Sequence, residues 1–282
     1  MEKFLSIFLR PKTRWLFIIS LIFLLCTSSC FAQKQEWLID YLSKEKGLTK
    51  YSYQVVAIYP HDPQAFTQGL IFDEGFLYES TGLYGESSLR KINLETGSVI
   101  QEKKIDEIYF AEGLTLFNNI LIQLTWKSHI GFLYKKDNFE FIGSFEFPYD
   151  GWGITHNNNN LIASDGSENL RFFDPNNFLL TKEIKVHLNE MKINQLNELE
   201  FINGKIYANV WHTNLILIIN PTNGEVTGWI DLTGLEGESD LSEKVLNGIA
   251  YDQTNHRFFI TGKHWSHMYE IILIEECVEK QQ

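Results

Sequence analysis

Five stretches of the chain repeat one pattern: Phe66-Thr-Gln-Gly-Leu-Ile-Phe72, Phe110-Ala-Glu-Gly-Leu-Thr-Leu116, Asp150-Gly-Trp-Gly-Ile-Thr155, Gln195-Leu-Asn-Glu-Leu-Glu-Phe201 and Val245-Leu-Asn-Gly-Ile-Ala-Tyr251. Alignment sets Gln68, Glu112, Trp152, Asn197 and Asn247 in one column, at intervals of 44, 40, 45 and 50 residues. A fixed period of this length marks a repeat architecture and outranks local propensity. Each opening alternates like a short strand. A polar turn follows at Asp73-Glu74-Gly75, Asn118-Asn119, residues 157–160, Asn203-Gly204 and Gln253-Thr254-Asn255. Asn and Gly there suit the positive φ of tight hairpins.

A second strand comes next in every repeat. A third leads into Asn93-Leu-Glu-Thr-Gly97, Lys136-Asp-Asn138, Asp174-Pro-Asn-Asn177 and Asn220-Pro-Thr-Asn-Gly224, with a fourth strand after each. Four antiparallel strands about every 45 residues specify the all-β class and, within it, a five-bladed β-propeller. The last repeat lacks a fourth strand of its own. The spare strand Tyr53-Gln-Val-Val-Ala-Ile-Tyr59 is expected to complete that last blade and close the ring. The propeller is therefore expected over residues 53–276, with an N-terminal extension at 33–52 and a C-terminal tail at 277–282. In the extension Trp37, Leu38, Tyr41 and Leu42 recur at helical spacing and are expected to pack on the propeller.

Equivalent positions of a propeller converge on its axis, so the first column brings Gln68, Glu112, Trp152, Asn197 and Asn247 together. A second column, just after the second strands, contains Thr81, Trp126, Asp165, Trp211 and Lys263 and is expected on the same rim. A carboxylate, a Lys and three Trp in one mouth suit a small ligand with an apolar stem and an amide or ammonium head. A Glu beside a Lys is equipped to move protons. A water-filled polar channel without chemistry is the plainer reading of any single one of these residues.

Composition narrows the field. Hydrophobic residues make up 44% of the 282, enough for a core, which excludes a disordered chain. A net charge of −12 excludes a phosphate-tracking nucleic-acid binder. Lys3, Arg10, Lys12 and Arg14 precede an apolar run from Trp15 to Leu25 and then small residues up to Ala32. That pattern is expected to be a signal peptide over 1–32, which makes the protein exported, periplasmic or secreted. An uncleaved anchor and a lipid anchor at Cys30 are the alternatives. Removal of the four basic residues and Glu2 takes the net charge to −15 and leaves Cys277 as the sole cysteine, so no intramolecular disulfide is expected. No His-Glu-x-x-His, Gly-x-Ser-x-Gly, P-loop or dinucleotide fingerprint occurs. The segment Asp165-Gly-Ser-Glu-Asn169 suits Ca²⁺ or, more plainly, a solvated turn.

The chain resembles the plant-type glutaminyl-peptide cyclotransferases (glutamine cyclotransferases), also found in bacteria. The resemblance covers roughly residues 53–275 and rests on Phe66-Thr-Gln-Gly-Leu70, Tyr78-Glu-Ser-Thr-Gly82, Phe110-Ala-Glu-Gly-Leu114, Leu124-Thr-Trp126, Asp150-Gly-Trp-Gly153, Leu196-Asn-Glu-Leu-Glu200, Ala208-Asn-Val-Trp211, Leu246-Asn-Gly-Ile249 and Thr261-Gly-Lys263, in that order. It implies cyclisation of an N-terminal glutaminyl residue to pyroglutamate with loss of ammonia. The substrates it implies are peptides or proteins with N-terminal Gln, acted on by a monomer. It implies catalytic roles for Glu112, Lys263 and Asn197, and substrate binding by Phe66, Gln68, Trp126, Trp152 and Trp211. No cofactor and no catalytic metal are implied. Some members carry a structural Ca²⁺, which this sequence does not place. A non-catalytic peptide- or glycan-binding propeller is the alternative, since it too would keep the Trp residues. A six-bladed Ca²⁺-dependent lactonase would need more channel carboxylates than Glu112 and Asp165, and one more blade.

Overall fold

The computed structural model of the chain describes residue 33 and residues 35–236 and 244–276. The signal peptide expected over 1–32, the lipid-anchor position Cys30 and the tail 277–282 lie outside the described residues. The fold is all-β, with one short helix at 35–44. Three sheets hold four antiparallel strands each: Thr67–Asp73 to Val99–Lys104, Ala111–Phe117 to Phe141–Glu146, and Ile154–His156 to Leu180–Lys185. A fourth, eight-stranded sheet combines two further quartets. One runs from Leu196–Ile202 through Lys205–Val210 and Leu215–Ile219 to Val226–Asp231. The other runs from Leu246–Asp252 through Arg257–Gly262 and His267–Glu275 to Thr49–Pro60.

The strand Thr49–Pro60 comes first in the chain and pairs antiparallel with His267–Glu275, Tyr59 opposite Met268 and Tyr53 opposite Leu273. The expected closure therefore exists. The strand begins four residues earlier than the sequence suggested. Its extra residues Thr49–Tyr51 pair parallel with Gly228–Ile230 and join the last two quartets.

The expected hairpins form. Glu74-Gly75, Asn118-Asn119 and Asn203-Gly204 all have positive φ at both turn residues, which matches the right-handed twist of the flanking strands. A small hairpin, His187–Leu188 with Met191–Lys192, was not legible in the repeats.

The leading strands of successive quartets touch in a ring. A Cβ on Gly69 would stand 2.3 Å from Leu114 N, one on Gly113 2.6 Å from Trp152 O, and one on Gly153 2.1 Å from Asn197 O. Only a residue without a side chain permits that approach. Glu198 Oε2 accepts from Ile249 N at 2.9 Å, and Asn247 Nδ2 donates to Thr67 O at 2.9 Å, which returns to the first sheet. The sheets are thus arranged like a propeller.

The apolar core follows from that arrangement. It divides into clusters between neighbouring quartets, such as Tyr78, Leu89, Leu114, Leu121 and Tyr134 between the first two sheets. Another holds Tyr59, Leu70, Leu77 and Phe259 between the last and the first. The helix lays Leu38 and Leu42 into the cluster that contains Ile162, Leu199 and Trp229. Trp37, expected to pack there as well, is instead 54% exposed and stacks on Tyr41 at 5.8 Å. Among the described residues no helix is long and apolar enough to cross a membrane.

Candidate active site

Four of the five first-column residues sit at bulges. The ladder register shifts between Thr67 and Gly69, Ala111 and Leu114, Leu196 and Leu199, and Leu246 and Ile249. A bulge leaves one residue unpaired and re-aims its side chain. Gln68, Glu112, Asn197 and Asn247 owe their placement to that. Trp152 stands just before its strand, with its N–H donating to Ser164 O at 3.1 Å.

The second column is in part corrected. The backbone N–H groups of Trp126, Trp211 and Lys263 donate to Phe110 O, Gln195 O and Val245 O, each acceptor two residues before the bulged position. In the first sheet the same bond is made by Gly82, to Phe66 O at 2.8 Å. Gly82 is therefore the structural equivalent, not Thr81, whose hydroxyl is bonded to Ser88 at 2.7 Å. Asp165 does not join the others. Arg171 and the Ser167 hydroxyl engage its carboxylate.

Gln68, Glu112, Asn197, Asn247 and Lys263 are at most 5% exposed. Half-buried aromatics surround them. The Lys263 ammonium lies 4.6 Å from the Phe66 ring centre and 6.0 Å from that of Trp211. Trp211 meets Trp152 edge-on at 5.3 Å. Phe66 meets Phe110 at 6.0 Å, and Phe110 meets Trp126 at 5.6 Å. Gln68 Oε1 accepts from Asn247 Nδ2 at 3.3 Å. Ring and cation contacts thus join Lys263 with Phe66, Trp126, Trp152 and Trp211 by way of Phe110, while Glu112 feels Lys263 electrostatically and Gln68 is bonded to Asn247. Asn197 borders Trp152 through the close approach of Gly153.

Burial dominates the electrostatics. It pushes the Glu112 carboxyl well above the usual carboxylate range, against the pull of Lys263 and with the push of Asp150. It brings the Lys263 ammonium down to about 8, against the pull of Glu112. Burial thus favours the protonated form of this carboxyl, the form that can donate a proton. The side-chain oxygens of Asn197 and Asn247 have no hydrogen-bond partner. Such buried acceptors are costly unless a ligand satisfies them.

Four residues escaped the sequence reading. Phe110 was visible only as part of a motif. Glu198 stands where the other repeats carry Gly69, Gly113, Gly153 and Gly248, and its carboxyl crosses to Ile249 N. The buried pair His61 and Glu79, 3.0 Å apart, lies behind Thr67, which also donates to Glu79 at 2.7 Å. The break in the glycine column was the one available signal for Glu198.

A cavity of about 490 Å³ opens at the far ends of the same strands, lined by Phe72, Thr155, Glu200, Phe201 and Tyr251 among others. Among the described residues no three His, Cys, Asp or Glu are grouped to hold a metal ion.

A buried carboxyl and a buried ammonium thus lie under a wall of aromatic rings. The model of the family described as glutamine cyclotransferase matches residues 21–273, and the chain belongs to that family. It is 43% identical to the glutaminyl-peptide cyclotransferase of Arabidopsis thaliana over 226 residues, covering 78% of this chain and 71% of that protein. The crystal structure of Myxococcus xanthus glutaminyl cyclase matches with a TM-score of 0.77 at 35% identity, covering 81% of this chain and 99% of that one.

Proposed function

We propose that this chain is an exported five-bladed β-propeller that cyclises N-terminal glutaminyl residues of peptides or proteins to pyroglutamate and releases ammonia. The leader at 1–32 is removed, and the catalytic domain spans 53–276. The observation that carries the reading is the buried pair of Glu112 and Lys263 beneath the Phe and Trp wall.

In the reaction the free α-amine attacks the γ-carboxamide carbon. A C–N bond forms and closes a five-membered ring. The bond from that carbon to the amide nitrogen breaks, and ammonia leaves. One proton must pass from the attacking nitrogen to the departing one. Glu112 carries it, a contribution of typically ~10²–10⁴-fold. Negative charge gathers on the former carbonyl oxygen in the tetrahedral intermediate. Lys263 and the Asn197 side-chain amide donate to it. Trp126, Trp152 and Trp211 freeze the folded side chain in its reactive rotamer, and intramolecular attack profits from that restriction. Phe66 shapes the pocket and supports the Lys263 ammonium. Gln68, fixed by Asn247, binds the amide or the peptide carbonyl beyond it.

The test is ammonia release from a short peptide with N-terminal Gln, using residues 33–282 and its Glu112→Gln variant. Release by the wild type and its loss in the variant are expected. Release that survives the substitution sinks the role of Glu112. Absence of release by folded wild type across several peptides sinks the activity and leaves a binding propeller.

A further inference from the structure

The aromatic wall does not stop at the buried residues. Gly82 occupies the position where other quartets place Trp126, Trp211 and Lys263. A Cβ there would lie 2.4 Å from the Phe110 ring and 3.1 Å from Gln68 Cγ. The missing side chain is what lets Phe110 lie beside Gln68. From Phe110 the contacts run outward to Tyr84, edge-on at 5.5 Å. Exposure rises along the path, from buried Lys263 through half-buried Phe66 and Phe110 to Tyr84 at 54%.

Tyr84 is held there at a cost. Leu83 before it has φ +83°, a conformation that L side chains rarely adopt. Such strain persists only where its surroundings over-determine it, and it clusters at functional sites. Here the surroundings are explicit. Leu83 O accepts from Glu86 N at 3.1 Å, Ser87 N at 2.9 Å and Ser87 Oγ at 2.7 Å. Ala111 N in turn donates to Ser87 Oγ at 3.0 Å. The loop is therefore tied to the strand that carries Glu112, so Tyr84 keeps a fixed position relative to the reacting centre.

We propose that Phe110 and Tyr84 form a subsite for the side chain of the peptide's second residue, and that it favours aromatic or large apolar side chains. The inference rests on the cyclotransferase reading. One residue advances an extended chain by at most about 3.3–3.6 Å. With the N-terminal residue against Phe66 and Lys263, a second side chain therefore reaches the Phe110–Tyr84 pair. The exposed Tyr84 ring offers offset or edge-on packing to another ring.

The experiment compares kcat/KM for Gln-Phe-Ala-amide and Gln-Gly-Ala-amide. A ratio of about tenfold or more in favour of Phe is expected, the discrimination an apolar contact typically supplies. Tyr84→Ala should collapse the ratio toward one, whereas Tyr84→Phe should preserve it. Ile108→Ala, an exposed apolar control outside the path, should also preserve it. A wild-type ratio near one, or the same ratio in Tyr84→Ala, overturns the subsite while leaving the cyclase intact. Absence of ammonia from both peptides overturns the subsite together with the activity beneath it.

Discussion

The Lys263 ammonium stands over the Phe66 ring, 4.6 Å from its centre. Lys263 follows the second strand of the last quartet and Phe66 precedes the leading strand of the first, so the contact spans the closure of the ring. An aromatic face returns to a buried cation part of what it loses with its water shell. The return is incomplete, because burial still draws Lys263 down to about 8.

A pH profile follows from that value. If Lys263 donates as an ammonium, kcat/KM should fall as pH rises through about 8. The substrate α-amine, which must be neutral to attack, gives a limb of opposite sign near ~7.7–8.0. Lys263→Arg should move the falling limb beyond the accessible range, and Lys263→Met should lower kcat by roughly 10²–10³-fold. A falling limb that persists at the same pH in Lys263→Met would assign it to another group.

Gly153→Ala tests the close approach of the leading strands. Its Cβ would meet Asn197 O at 2.1 Å, and a backbone atom cannot swing aside. A loss of about 1–3 kcal/mol or more is expected in urea unfolding, together with reduced activity as Asn197 shifts. Gly143→Ala is the control, since its nearest neighbour would be Leu133 Cδ1 at 3.9 Å. Equal stability of the two variants would refute the packing argument.

Glu198 gives a prediction with a sign. Burial raises its carboxyl well above 4.5. The folded state therefore holds a proton that the unfolded state releases. The stability this contributes is fully present below about pH 4.5 and is lost as pH rises toward the folded value. Glu198→Gln keeps an acceptor for Ile249 N and cannot ionise. Its stability relative to wild type should improve steadily with pH in urea titrations. Glu198→Ala leaves that N–H unpaired and should cost about 1–3 kcal/mol. A wild-type difference from Glu198→Gln that does not vary with pH would show that the carboxyl is ionised throughout.

The pair of His61 and Glu79 titrates the other way round at each partner. Burial works against the charge on both, and each prevails through the other. His61 is raised, so its contribution is present below 6.5 and lost as pH climbs through the folded value. Glu79 is lowered, so its contribution is present above 4.5 and lost as pH drops through the folded value. His61→Phe strands a buried carboxylate and should cost about 3–5 kcal/mol. Thermal scans across pH would show it, and an unaffected midpoint would mean that the pair is not charged.

The period made the propeller-like ring legible, because each quartet must place the same residue at the same depth. Glu112, Asn197 and Asn247 were readable for that reason. Thr81 was misplaced by one position because Gly82, the true equivalent of Trp126 and Trp211, has no side chain to mark the column, and only the backbone bonding reveals it. Phe110 and Tyr84 were hidden because they compensate for an absent side chain at Gly82, and alignment records residues rather than gaps they fill. His61 meets Glu79 across two quartets, and no periodicity encodes that contact. Trp37 fits the helical stripe, but the stripe is wider than the surface it covers, so Leu38 and Leu42 take the buried face.

The strand Thr49–Pro60 is made early and finds its partner, His267–Glu275, last. Until the final hairpin has been synthesised, Tyr53-Gln-Val-Val-Ala-Ile-Tyr59 is an unpaired, aggregation-prone edge. Pairing at such sequence separation is slow to form. The ring therefore latches only when nearly all of the chain is available, and a chain interrupted before residue 267 lacks its clasp.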